Sequence, residues 1–225
     1  YVFFKLQTLD SRLATMDDPH SLRMLIQRYT YLFTEQGFTI WKRKPGAFDA
    51  DTYEPQFIRK TTARPRESID VSDLNDQLIW VEIDYQFNLL GKLRRFFFKP
   101  PLVQLRIIDQ DGVESVHRLP GPIGRAGFML NPVINDLLDF MRAAGGTPKR
   151  RVKAIVIETK PQNLDCLKNE ITVSFSSMPP SDAGSTYFKE VDQAMFHMFI
   201  DTPSSYTAYQ KPNEEVIDNR RIMIM

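Results

Sequence analysis

The chain has 225 residues, 42% hydrophobic and 25% charged, with a formal net charge of +1. That composition fits a packed core rather than disorder, and the near-neutral balance gives no global field to steer the chain to nucleic acid. The candidate membrane run Val2 to Leu6 falls far short of the ~20 apolar residues a spanning helix needs.

No secretory signal is expected at the start, because Tyr1 leads directly into a strand-like run. Without an initiator Met, the sequence is expected to be a fragment of a longer protein. The lone cysteine, Cys166, excludes an internal disulfide. With only His20, His117 and His197 beside it, no zinc site is expected, and no other cofactor is called for.

Three textures follow in chain order. In residues 1–44, "YVFFKLQTL" reads as a strand, rich in aromatic and β-branched residues. "MDDPHSLRMLIQRYTYLFTEQG" reads as a helix, with Asp18 as N-cap, Pro19 in the first turn and Gly37 as the stop. Leu22, Leu25, Ile26, Tyr29 and Phe33 recur on its apolar face. The Asp17–Asp18 pair suits the positive end of that helix. "FTIWKRK" follows as a second strand, so this part is a small β-α-β subdomain. Residues 45–68, with three prolines and no apolar period, read as a linker.

Residues 69–178 read as mainly β. In "QLIWVEIDYQ", Ile79, Val81, Ile83 and Tyr85 form the cleaner apolar face, opposite Leu78, Trp80, Glu82 and Asp84. "KLRRFFFK" reads as a strand ended by Pro100–Pro101. Phe96 and Phe98 would then point one way and Phe97 the other. Either both faces are covered or one is a contact surface, and coverage is the expectation.

"VQLRIIDQDGVESVHRL" reads as a hairpin turning at Asp111–Gly112, with positive φ at both central residues. "GPIGRAG" fails the dinucleotide-binding spacing and reads as a loop needing positive φ. One short helix follows, with Asn131 as cap, Pro132 as first residue and Gly145–Gly146 as end. "RVKAIVIET" and "NEITVSFSS" close the region as strands. The fold expected is α+β: the β-α-β piece, then an antiparallel, jelly-roll-like β-sandwich with one short helix. Residues 179–225 form a C-terminal extension, with a helix expected near "STYFKEVDQAMFHMFI" and polar coil beyond.

Chemistry is sparse. No Gly-x-Ser-x-Gly elbow is present. Glu82 and Asp84 are spaced as strand neighbours and would suit glycoside hydrolysis if held ~5 to 9 Å apart across a groove; otherwise they line a solvated face. The basic run Thr147 to Lys153 would meet phosphate or headgroups, or simply solvent. For a sugar ligand the candidates are Trp80, Tyr85, Arg106 and Arg118, because aromatic faces stack on sugar rings and guanidinium forks bind hydroxyls and carboxylates.

Two stretches carry a family resemblance: "YVFFKLQTLDSRLATMDDPHSLRMLIQRYTYLFTEQGFTIWKRK" and "KPPLVQLRIIDQDGVESVHRLPGPIGRAGFMLNPVINDLLDFM". The first resembles the soluble segment after the last membrane helix in multi-pass bacterial membrane proteins of the polyprenyl-sugar-dependent glycosyltransferase type. The second is similar to their C-terminal extracytoplasmic domain. The resemblance implies a periplasmic or surface location, attachment through upstream helices, and no catalytic residue here, since the catalytic acid of that type sits near the first membrane helices. It implies an accessory role: recognising a glycan or a partner beside a sugar-transfer machinery. A purely structural interaction module and a polysaccharide hydrolase are the alternatives.

Overall fold

The computed structural model describes residues 1–6, 8, 10–44, 55–74, 76–144, 150–159 and 166–178. The expected C-terminal helix and coil, residues 45–54 of the expected linker, the expected helix end at Gly145–Gly146 and residues 147–149 of the basic run lie outside them. Every described residue belongs to one compact unit, Tyr1–Ala183.

The N-terminal part is a three-stranded antiparallel sheet with a helix. Strand β1 (Val2–Phe4) pairs with β3 (Phe38–Arg43), which pairs with β2 (Tyr29–Glu35). Helix α1 (Pro19–Arg28) begins where expected: the Asp18 carboxylate accepts from the Ser21 amide at 3.3 Å, and Pro19 fills the first turn. It stops nine residues earlier than the Gly37 stop implied, at Arg28. The expectation is corrected for a physical reason. "YTYLFT" is aromatic and β-branched, so it favours a strand, and Gln36–Gly37, with φ of 49° and 79°, makes the two-residue turn that matches strand twist. Tyr29 and Phe33 therefore belong to β2 and not to the helix face. On the helix, Leu22, Leu25 and Ile26 are buried as expected.

The larger part is a β-sandwich. One sheet runs β4–β11–β6–β9 and the other β5–β10–β7–β8, antiparallel at every pairing. Their ranges are β4 (Gln56–Ala63), β5 (Ser68–Asp70), β6 (Leu78–Asp84), β7 (Val103–Asp109), β8 (Glu114–Arg118), β9 (Phe128–Asn131), β10 (Val152–Thr159) and β11 (Ile171–Met178). Counted from β4, the orders are first–eighth–third–sixth and second–seventh–fourth–fifth, the winding of a jelly roll. The core is shared by both sheets. Val81, Ile83, Val173 and Phe175 meet Leu105, Ile107, Ile155 and Ile157, all within 1% of full burial.

Four local expectations are corrected. Residues 56–63 of the linker form β4, an edge strand; its outward side is solvated, which is why it lacks an apolar period. "KLRRFFFK" is not a strand: Lys92 to Phe97 lie in helix α2 (Leu89–Phe97), which ends at Phe98 and is capped at its start by Asn88, whose carboxamide accepts from the Gly91 amide at 2.9 Å. Leu, Lys and Arg are good helix formers, and the cap decides the outcome. "GPIGRAG" folds as a short helix, α3 (Gly121–Ala126), with the expected positive φ only at Gly127. Asn131 ends β9 instead of capping a helix: its carboxamide donates to the Gln77 carbonyl and accepts from the Val152 amide. Helix α4 (Leu137–Ala144) starts beyond it, where the Asp136 carboxylate accepts from the Asp139 amide at 2.8 Å.

The hairpin β7–β8 forms in the expected place, but only Gly112 takes positive φ, at 77°. The Asp109 carboxylate supplies the rest of the turn by accepting from the Asp111 and Val113 amides.

The two parts pack together through aromatic contacts. Phe140 of α4 lies 5.3 Å from Trp41 and 5.7 Å from Phe4, ring to ring. Helix α1 lies on the outer face of β6, where Arg23 stacks 5.1 Å over Trp80.

Candidate functional site

Register places the site. Thr172 pairs with Asp84, Thr159 with Val103, Gln104 with Arg118, and Phe128 with Val81. The crossovers β6–β7, β8–β9 and β10–β11 therefore gather at one end of the sandwich. Clustered crossovers at the end of a rigid scaffold are where binding groups concentrate.

Between the first two crossovers lies a cleft of about 440 Å³, within the size range of small-ligand sites. Tyr85, Phe87, Leu102 and Leu119 supply an apolar floor, extended by prolines at 100, 101, 120 and 122. Phe87 meets Tyr85 edge to face at 5.9 Å. Four cationic side chains edge the cleft: Lys92 and Arg95 from α2, Arg118 from the end of β8, and Arg125 from α3. Among the described residues, no Asp, Glu, His or Cys lines it. Two carboxylates lie close by: Asp10 pairs with Arg118 at 2.9 Å, and Asp84 with Arg125 at 3.8 Å. All of these charges are solvent-exposed by a third or more, so the pairs are weak and exchangeable.

Tyr85 is the fixed group of the floor. It is the last inward residue after β6, and its hydroxyl donates to the Leu119 carbonyl at 2.9 Å. That bond ties the two crossovers together. Burial raises its pKa to about 12, against the opposing pull of the Arg125 and Arg118 guanidiniums. The sign follows directly. An acid whose folded pKa lies above the ordinary 10 contributes stability that is full below pH 10 and is lost as pH rises through 12. Burial raises the Tyr31 phenol as well, so alkaline titration of tyrosine absorbance is expected to show at least two phenols resisting ionisation beyond pH 10, and Tyr85→Phe is expected to remove one of them. A titration unchanged in Tyr85→Phe would contradict the assignment.

The four residues proposed for a sugar ligand are not brought together. Tyr85 and Arg118 line the cleft. Trp80 is 2% exposed, under α1 with His20 and Arg23 against its ring. Arg106 lies on the outer face of the other sheet, bonded to Glu158 at 2.8 Å and Glu114 at 3.0 Å. Glu82 and Asp84 lie on β6 outside the cleft lining, with Asp84 directed to Arg125.

Sequence reasoning missed Lys92, Arg95 and Arg125. The signal was present: no Asp or Glu occurs between Asp84 and Asp109, while Lys92, Arg94, Arg95, Lys99 and Arg106 do. A second, shallower depression between Ala63–Glu67 and Lys168–Glu170 carries charges of both signs. No helix among the described residues is long and apolar enough to cross a membrane. No family model, no curated protein and no solved structure matches the chain.

Proposed function

We propose that this chain is a non-catalytic binding module, an extracytoplasmic accessory part of a membrane protein, whose cleft recognises an anionic glycan beside a sugar-transfer machinery. The observation that carries the binding role is the cleft: four cations around an apolar, aromatic floor, with no carboxylate among the described lining residues. Guanidinium forks suit carboxylate, sulfate or phosphate substituents, and the Tyr85–Phe87 floor suits the apolar face of a pyranose. The membrane and sugar-transfer setting rests on the resemblance carried by residues 1–44 and 99–141. Jelly rolls include lectins among many other functions, and that analogy supports the reading only at the level of fold.

The hydrolase alternative loses support because neither Glu82 nor Asp84 lines the cleft. The described lining residues offer hydrogen-bond donors and apolar surface, and none of them is suited to general-base catalysis near neutral pH.

Isothermal titration with uronate- or phosphate-bearing envelope oligosaccharides tests the proposal. Acidic oligosaccharides are expected to bind, less tightly as salt rises. The double variant Arg118→Ala, Arg125→Ala is expected to bind at least about tenfold more weakly, since charge-assisted bonds contribute roughly 1.5–3 kcal/mol each. Silence across the acidic panel, or equal affinity for neutral oligosaccharides, would overturn it.

A further inference from the structure

Helix α2 is held by one narrow face. The Asn88 amide donates to the Cys166 carbonyl at 3.0 Å, and the Asn88 carboxamide donates to the Leu167 carbonyl at 3.3 Å. Gly91 lies so close to the Cys166 carbonyl that no side chain would fit there. The glycine is thus required by the close approach of helix to chain.

Five large apolar side chains of the helix, and Phe98 after it, are exposed among the described residues. Leu89, Leu93 and Phe96 fall at i, i+4 and i+7, and are 83%, 54% and 82% exposed. Leu90 and Phe97 form the adjacent row at 55% and 64%, and Phe98 follows at 74%. Scattered exposed apolar residues are ordinary, but a contiguous patch of six large ones marks an interaction surface. This corrects the expectation that the three phenylalanines would be covered.

Charge selects the occupant. Lys92, Arg94, Arg95 and Lys99 flank the patch, and no acidic residue occurs from residue 85 to residue 108. A second copy pairing through the same face would set like charges against each other. An anionic bilayer matches both halves of the pattern: its acyl boundary takes Leu and Phe side chains, and its headgroups take the flanking cations. At 1.5 Å per residue, nine residues span about 14 Å, too short to cross a bilayer and long enough to lie in its interface.

We propose that α2 and Phe98 form an interfacial anchor that lies flat in an anionic lipid surface. This inference is independent of the glycan reading, although Lys92 and Arg95 belong to both surfaces and would set the cleft beside the headgroups.

Co-sedimentation with vesicles tests it. The natural chain is expected to bind equimolar phosphatidylglycerol/phosphatidylcholine vesicles at low salt, and pure phosphatidylcholine at least about tenfold more weakly. Phe96→Asp with Phe97→Asp is expected to lose at least about tenfold in partitioning, while binding of the acidic oligosaccharide, whose cleft residues are untouched, is retained. Phe97→Trp gives a second readout that keeps an aromatic in place. Trp41 and Trp80 are both buried, so a blue shift on adding anionic vesicles would report the new indole. Three results would overturn the proposal: no partitioning of the natural chain, equal partitioning of the aspartate variant, or a concentration-dependent dimer abolished by that variant.

Discussion

Asp109→Ala is expected to destabilise the fold by about 3–5 kcal/mol, the usual result of removing one partner from a buried ion pair. Asp109 is 2% exposed at the end of β7, and its carboxylate is fully engaged. One oxygen accepts from Arg150 Nε at 2.9 Å and Nη2 at 2.8 Å; the other accepts from the Asp111 and Val113 amides at 3.1 and 2.8 Å. Alanine would leave the guanidinium, itself mostly buried, without a counter-charge, and would strip the turn of the acceptor that shapes it. Asp109→Asn keeps an acceptor for the turn amides but not the charge, and is expected to fall between alanine and the natural residue. Urea unfolding of the two variants checks this. A loss under about 1 kcal/mol for alanine would mean that solvent or backbone replaces the carboxylate.

Phe175→Ala is expected to cost a similar amount, about 3–5 kcal/mol, for a different reason. Phe175 lies on β11, the strand hydrogen-bonded to both β4 and β6, opposite Arg59 on one side and Val81 on the other. It is fully buried in the core shared by the two sheets. Truncation removes the contacts of a whole ring from the layer between the sheets, and the surrounding strands cannot collapse without breaking register. Phe175→Leu, close in volume, is expected to cost less than about 1.5 kcal/mol. If leucine and alanine were equally destabilising, the cavity explanation would be wrong.

The sandwich was legible because its strands alternate. β7, buried at every odd position and half-buried between, is the pattern that period two requires. The start of α1 was legible through Asp18 and Pro19. Its end was not, because Tyr29 and Phe33 satisfy the helical spacing and the strand propensity alike, and only pairing with β3 decides between them. The Phe96–Phe98 run misled in the opposite direction: aromatic composition suggested a strand, while the Asn88 cap and the packing of Gly91 on Cys166 make a helix.

That error hid half of the site. Read as a strand, α2 offers no reason to place Lys92 and Arg95 on one side, whereas as a helix they are three residues apart and both reach the cleft. Tyr85 and Arg118 were reachable from sequence as an aromatic and a guanidinium on strands. Trp80 was a reasonable candidate whose outward position is closed by α1, a long-range contact that no local pattern reveals.

The most direct test is amide chemical-shift mapping of the chain titrated with an acidic oligosaccharide. Perturbations are expected to cluster at Tyr85–Phe87, Leu102–Val103 and Arg118–Arg125, where the two crossovers enclose the cleft. A cluster around Arg106 on the opposite sheet face, or no perturbation at any concentration, would contradict the account.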